Sequence, residues 1–414
     1  MENNWIPSKL SDVVDIHTGK VSVDEAKLAD YISTDNLIPD FGGVIAAVKM
    51  PATGKVTNYK IGDVLFSNIR TYFKKLWLAN KNGTCSNDVI VFRPKNGIQS
   101  EYIYHLLMNQ EFIEYTVKTS KGTKMPRGDK EAIMKYEFFL APKPERINIG
   151  NSLICYKDKI EINHQINQTL EQMAQALFKS WFVDFDPVID NALDAGNSIP
   201  EDLQAKVEQR KAVKADNKLK PLPDEIRQLF PSEFEESELG WVPKGWEVSE
   251  LGEFIKFANG KAMKSSDEGV YPIYGANGII GKTSEVKFRN AIIVGRVGAY
   301  CGAIEYCRDD FWASDNTIVA TSKESEKNIP YILYQLKYLN LNQYAGGAAQ
   351  PLLNQTTLNK LKVSLPDVEC STCFNNIVDD ILLKNVENNK QTVSLSKLRD
   401  TVLPKLISGE LQIN

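Results

Sequence analysis

The chain holds 414 residues, 43% hydrophobic and 25% charged, with a net charge of −4 at pH 7. That length suits two or three domains, and the composition is that of a soluble globular protein. Six cysteines are too few for a disulfide framework, and no apolar run reaches the roughly 18 residues that span a bilayer.

The first residues, Met1-Glu-Asn-Asn-Trp5, offer neither a basic nor an apolar leader region, so a cytoplasmic location is expected. Residues 1–144 read as a mixed domain, with a strand at 89–92 and a short helix at 101–108. Its stretch 118–135 carries Lys118, Lys121, Lys124, Arg127, Lys130 and Lys135 against Asp129 and Glu131. Phosphate binding needs such a local basic face rather than a basic total. A long helix is predicted over 145–183, after Pro142 and Pro144 and before Pro187. Its apolar positions are Leu153, Ile160, Ile166, Leu170, Met173, Leu177 and Trp181, with Asn163, Asn167, Gln168 and Gln172 on other faces. Residues 184–240 hold 14 Asp/Glu against 7 Lys/Arg and five prolines, and read as an exposed connector with a short helix at 201–215. Residues 241–367 read as a second mixed domain, with strands at 291–294 and 317–320 and a helix at 330–338. A second long helix and a tail fill 368–414, with Phe374, Ile377, Ile381, Leu395, Leu398, Val402 and Leu406 as its seam.

The second half echoes the first in collinear order. Trp5, Leu10, Gly19 and Lys20 return as Trp246, Leu251, Gly260 and Lys261. The run 62–70, ending in Arg70, returns as 291–296, ending in Arg296; Ser86-Asn-Asp88 returns as Ser314-Asp-Asn316. Tyr102-Ile103 returns as Tyr331-Ile332, Gly122–Pro126 as Gly347–Pro351, and Leu140 as Leu365. In the helices, Leu170 lines up with Leu398 and Phe178 with Leu406. About 38 helical residues span roughly 57 Å, too long to bury on one compact domain, so each long helix is expected to pack on the other.

No catalytic centre emerges. Ala276–Thr283 fits a relaxed phosphate-loop pattern, but Ser284–Asn290 makes a poor helix opening, so a Gly-rich turn between strands is expected. There is no Asp/Asn-Pro-Pro-Tyr/Phe segment of the kind that grips a flipped base. His17, His105 and His164 are scattered, and Cys370-Ser-Thr-Cys373 has no second pair, so no metal site is expected.

Six stretches stand out: Leu170 through Pro187 (LEQMAQALFKSWFVDFDP), Phe230-Pro-Ser-Glu-Phe234, Glu238 through Trp246 (ELGWVPKGW), Tyr271 through Gly278 (YPIYGANG), Gly295 through Tyr300 (GRVGAY) and Leu403 through Leu411 (LPKLISGEL). With them the chain resembles the specificity subunits of type I restriction–modification enzymes over nearly its whole length. The first half lacks clean counterparts of Tyr271–Gly278 and Gly295–Tyr300. The resemblance implies an α+β protein: two mixed α/β target-recognition domains joined by two long antiparallel helices, a coiled-coil spacer with pseudo-twofold symmetry. It implies partners as well: double-stranded DNA read as a split, asymmetric site, two modification subunits and restriction subunits, with no membrane. S-adenosylmethionine, ATP and magnesium are expected on those partners and no cofactor on this chain, which is expected not to be an enzyme.

Gly-flanked loops, donor-rich side chains and repeat-equivalent positions select the DNA-contact candidates. In the first domain they are Asn68, Arg70, Tyr72, Lys74, Lys75, Lys121, Thr123, Lys124 and Arg127. In the second they are Lys261, Lys264, Asn277, Lys282, Arg296, Tyr300, Gln350 and Asn354. Arg70 and Arg296 lead, because the repeat pairs them. Two other readings fit the same residues: the specificity chain of a type IIB-like system, and a coiled-coil scaffold without sequence readout.

Overall fold

The structure, a computed structural model, describes residues 4–215, 222–346 and 351–412. It is mixed α/β and divides into two units, Met1–Ile166 with Glu387–Asn414, and Asn167–Val386.

In the first unit, four antiparallel strands lie in the order Val14–Ile16, Val89–Pro94, Val64–Ser67 and Leu76–Leu78. Val64-Leu-Phe66 is buried on both faces, which is why it reads as an unbroken apolar run. Its Val64 and Phe66 share a core with Phe92 and with Ile103, Leu106 and Phe112 of the helices Ser100–Met108 and Gln110–Lys118. A second sheet orders Lys20–Ser22, Lys55–Tyr59, Gly83–Cys85 and Tyr31–Ile32, the last pair parallel. A ribbon pairs Ile6–Lys9 with Glu137–Leu140.

The second unit repeats this plan. Its main sheet orders Ile255–Asn259, Thr317–Ser322, Ala291–Gly295 and Ile304–Cys307. Glu247–Glu250 pairs with Lys362–Leu365 as the ribbon. Tyr271–Gly275 runs parallel to Trp312–Ala313, as Tyr31–Ile32 runs parallel to Gly83–Cys85. So Tyr271–Gly278, which the sequence left without a counterpart, occupies the place of the Tyr31 segment. Gly278–Thr283 pairs antiparallel with Tyr271–Gly275, which makes 276–283 a turn and a strand.

Each long helix, Lys143–Phe182 and Val368–Ile407, contributes part of its length to each unit. Within the first unit the segments run antiparallel. Leu153 shares a core with Leu403 and Leu406, while Asn163 Nδ2 donates to Asn388 O at 3.4 Å, Gln391 Oε1 at 2.9 Å and Thr392 Oγ1 at 3.3 Å. Within the second unit they do so too: Asn167 Nδ2 donates to Asn385 O, and the Phe178 and Phe374 rings lie 5.8 Å apart.

The seam differs from the expected one. Leu153, Ile160 and Trp181 are buried, but Ile166 and Met173 face solvent, as does Leu398, 53% exposed. Asn163, expected on another face, is fully buried, and Asn167 reaches across as well. Apolar letters alone pointed elsewhere because the middle of the seam is polar, in a 4-3 spacing that includes Asn163 and Asn388. The helices also repeat in another register. Ile149, Leu153, Asn163, Ala174, Phe178 and Trp181 recur as Phe374, Val378, Asn388, Arg399, Leu403 and Leu406, all buried. Phe178 therefore matches Leu403, not Leu406: residues three apart share a helix face, so apolar letters fit both registers.

Residues 184–240, expected to be an exposed connector, belong instead to the second unit over their described parts, 184–215 and 222–240. Asp186–Ala195 is a helix with Val188, Ile189 and Ala192 fully buried. Gln204–Ala215 is helical as expected. Phe230 meets Trp181 edge-on at 5.1 Å. Some of the charges that made the segment read as solvated are paired: Arg210 with Asp190 at 2.7 Å, and Arg227 with Asp194. Among the described residues no helix is long and apolar enough to cross a membrane.

Candidate nucleic-acid interface

In the first unit the strand Val64–Ser67 runs out into a loop tied to its neighbours by backbone bonds. Asn68 N–H donates to Asp88 O at 2.8 Å, Arg70 N–H to Pro126 O at 2.8 Å, and Gly128 N–H to Asn68 O at 3.0 Å. Loops 68–75 and 121–128, far apart in sequence, thereby become one surface. Arg70 and Lys74 both adopt the left-handed conformation, φ 50° and 53°. They bracket the 3-10 turn Thr71–Phe73, which lifts Tyr72 and Phe73 outward; Tyr72 is 46% exposed. A non-glycine residue at positive φ is uncommon, and two around one turn mark a surface under constraint.

The second unit builds the same platform. Arg296 N–H donates to Asn316 O at 2.9 Å, Gly298 N–H to Pro351 O at 3.1 Å, and Leu353 N–H to Arg296 O at 2.9 Å. The 3-10 turn Gly298–Tyr300 leaves Tyr300 50% exposed. A Cβ on Gly295 would lie 2.2 Å from Tyr300 O, so only glycine lets this turn close. These bonds set the register. Ser67 opposes Val89 as Gly295 opposes Thr317, so Arg296 corresponds to Asn68 and Tyr300 to Tyr72. The expected pairing of Arg70 with Arg296 is off by two residues, and Gly295–Tyr300 has its counterpart in residues 67–72. The two loops share no letters but the tyrosine, which hid the match.

The other candidates divide. Asn68 is buried beneath the loop, its Oδ1 without a partner, and so shapes the loop rather than facing outward. Lys75 Nζ donates to Thr34 O at 2.6 Å, and burial lowers its pKa. Lys121 pairs with Asp129 at 2.5 Å and Arg127 with Asp88 at 3.0 Å. Thr123 and Lys124 are exposed; Arg70 is half-buried with an unpartnered Nε. In the second unit Lys261, Lys264, Asn277 and Lys282 are exposed, the last two on the hairpin that includes Gly278–Thr283. Arg296 is half-buried, again with Nε unpartnered. Asn354 is a helix cap: its Oδ1 accepts from Thr357 N–H at 2.8 Å. Gln350 and most of the 347–351 echo lie outside the described residues. Sequence reading passed over Phe73, whose signal was an aromatic pair wedged between basic residues just past a buried strand.

Burial pushes the Cys370 thiol well up from its ordinary range. No group of three or more His, Cys, Asp or Glu among the described residues could hold a metal ion.

A family model described as the type I restriction modification DNA specificity domain matches residues 2–172 and 243–391. The chain belongs to this family. Each match covers one globular half and part of a long helix, so the family's repeat is the repeat seen in the fold. Among specificity subunits, that of the HindI enzyme of Haemophilus influenzae is 30% identical, covering 85% of this chain and 87% of the relative. That of the MjaIX enzyme of Methanocaldococcus jannaschii is 24% identical over 77% of this chain and 71% of the relative. A crystal structure of a type I restriction–modification S subunit from M. genitalium shares the fold, with a TM-score of 0.57 at 18% identity over 98% of this chain and 96% of that one.

Proposed function

We propose that this specificity subunit reads a bipartite, asymmetric site in double-stranded DNA, one half with each unit. The observation that carries the reading is the two-loop platform, built twice on the same hydrogen-bond positions with an exposed tyrosine at its crest. The surface side chains of the two units differ: Phe73, Lys74 and Lys124 in one, Lys264, Asn277 and Lys282 in the other. Two equivalent scaffolds with unlike edges suit two unlike half-sites. Lysines and backbone N–H groups hold phosphates, while Arg and Asn select base edges in the groove. Half-sites at a set spacing result when two reading heads share one frame.

In this reading the chain acts in the cytoplasm and does no chemistry. Two modification subunits bring S-adenosylmethionine and methylate adenine N6 on a flipped base; restriction subunits bring ATP and magnesium. The long helices set the gap between the half-sites and help dock the modification subunits. Sequencing methylated adenines in the host with and without this gene tests the proposal. One bipartite motif should vanish with the gene. Tyr72→Ala should relax one half of it and Tyr300→Ala the other. A methylation pattern unchanged by the deletion would refute the assignment.

A further inference from the structure

A groove in the first unit lies beside the ribbon Ile6–Lys9/Glu137–Leu140 and the end of the second long helix, with a volume of about 1070 Å³. Asn109, Phe139, Ile407 and Ser408 form part of its wall. The second unit has the same groove at the repeat-equivalent place, beside Tyr338, Ser364, Phe182 and Val183, but with only about 490 Å³ open. There the chain supplies additional wall itself: Leu203 and Lys206 of the folded connector, and residues 239–242. Lys206 Nζ donates to Val183 O at 2.8 Å, just past the last turn of the first long helix, and lies 5.2 Å from the centre of the Phe185 ring. It thus satisfies a carbonyl of the kind that helix ends leave orphaned. Ser408, just past Ile407, is the equivalent position in the open groove.

The open groove differs in charge. Glu137 stands where the second unit has Lys362, and Glu410 where it has Phe185. Asp12 and Glu111 add two carboxylates, against Lys9, which lies 3.7 Å from Glu137. Phe139, 59% exposed, offers an apolar floor beside this acidic rim. An apolar floor with four carboxylates against one lysine on its rim favours a partner of opposite charge.

We propose that this groove docks a basic amphipathic helical segment of a partner protein. The segment places a large aliphatic residue on Phe139 and Ile407, as the connector presents Leu203 in the second unit. It directs lysines to the carboxylate rim and to the carbonyls at the end of the second long helix, as Lys206 does for the first. The inference rests on the internal repeat and on charge, and does not depend on which bases are read.

The test places the photo-crosslinker p-benzoylphenylalanine at Phe139 of the full chain, reconstituted with its modification subunit, and reads adducts by mass spectrometry. The expected adduct is a lysine-rich helical segment of that subunit. Its yield should fall about tenfold in the Glu111→Lys/Glu137→Lys variant, which reverses two rim charges. The same crosslinker at Tyr338 should capture residues 201–206 of its own chain in every variant, which reports correct folding. No adduct at position 139 while position 338 reacts, or an adduct with DNA or with this chain's own residues, would overturn the proposal. A lost methylation motif with the position-139 adduct intact would count against the DNA reading alone.

Discussion

Replacing Asn163 by leucine should make the protein more stable, not less. Asn163 is fully buried in the helix seam. Its Nδ2 has one well-placed acceptor, Gln391 Oε1 at 2.9 Å, and longer approaches to Asn388 O and Thr392 Oγ1. Gln391 is exposed, so water replaces that bond when it is lost. Asn163 Oδ1 has no partner at all. An unmet buried acceptor costs about 1–3 kcal/mol, and a net hydrogen bond returns about 1 kcal/mol. Burying leucine in its place adds apolar contact worth about 1 kcal/mol or more. The balance favours Asn163→Leu by about 1–3 kcal/mol. Urea unfolding of the full chain, followed by circular dichroism, reads this as a rise in midpoint at constant slope. The cost falls on specificity, because a polar layer in a helical seam fixes one register. The Asn163→Leu/Asn388→Leu double variant should therefore self-associate in sedimentation runs where the parent does not. A midpoint lowered by the equivalent of 1 kcal/mol or more would show that the asparagine's bonds outweigh its unmet oxygen, and the reasoning fails.

Arg296→Ala should weaken binding to the cognate duplex by about 1–3 kcal/mol, roughly 5- to 150-fold, and random duplex much less; equal losses on both would make it a phosphate contact. Asn354→Ala should cost about 1 kcal/mol of stability through the lost cap and leave base preference unchanged, which thermal melts and a methylation-motif survey check together. His105 is buried, donates through Nδ1 to Glu101 O at 2.7 Å, and burial pulls its pKa down from 6.5 to about 3. The unfolded chain therefore binds a proton that the folded one refuses between those values. Stability should be full above pH 6.5 and fall toward pH 3 by up to about 1.4 kcal/mol per pH unit from this group. His105→Leu should flatten that part of the pH profile in urea titrations, and an unchanged slope would exclude the group.

The architecture was largely legible because the chain is written twice. Both long helices announced themselves by length, the first also by flanking prolines; its observed ends, Lys143–Phe182, lie within two residues of the expected ones, and the second, Val368–Ile407, starts where expected. Their facing residues were harder to read. A search for apolar letters passes over a seam whose middle is asparagine, and it accepts Met173 and Leu398, which face water. The connector was misread for the converse reason: its many charges masked Val188, Ile189 and Leu203, which bury themselves while arginines pair with neighbouring aspartates. That the two candidate loops correspond was legible, but not their register. Backbone bonds at Asn68 and Arg296 define the equivalence, and backbone bonds leave no trace in residue identity.

The footing of the loop 68–75 limits how such domains can be exchanged between relatives. Asp40 N–H donates to Phe73 O at 3.0 Å and Phe41 N–H to Lys74 O at 2.9 Å, so the crest of the loop hangs from residues 40–41. The Phe41 ring in turn lies 5.9 Å from the guanidinium carbon of Arg399 on the second long helix. Ala174 holds the matching place in the other unit and offers nothing comparable to grip. A transplanted first domain thus inherits its aim from the host helix. It needs a ring facing residue 399, whereas a transplanted second domain carries no such obligation, and swaps of the two domains should succeed at unequal rates.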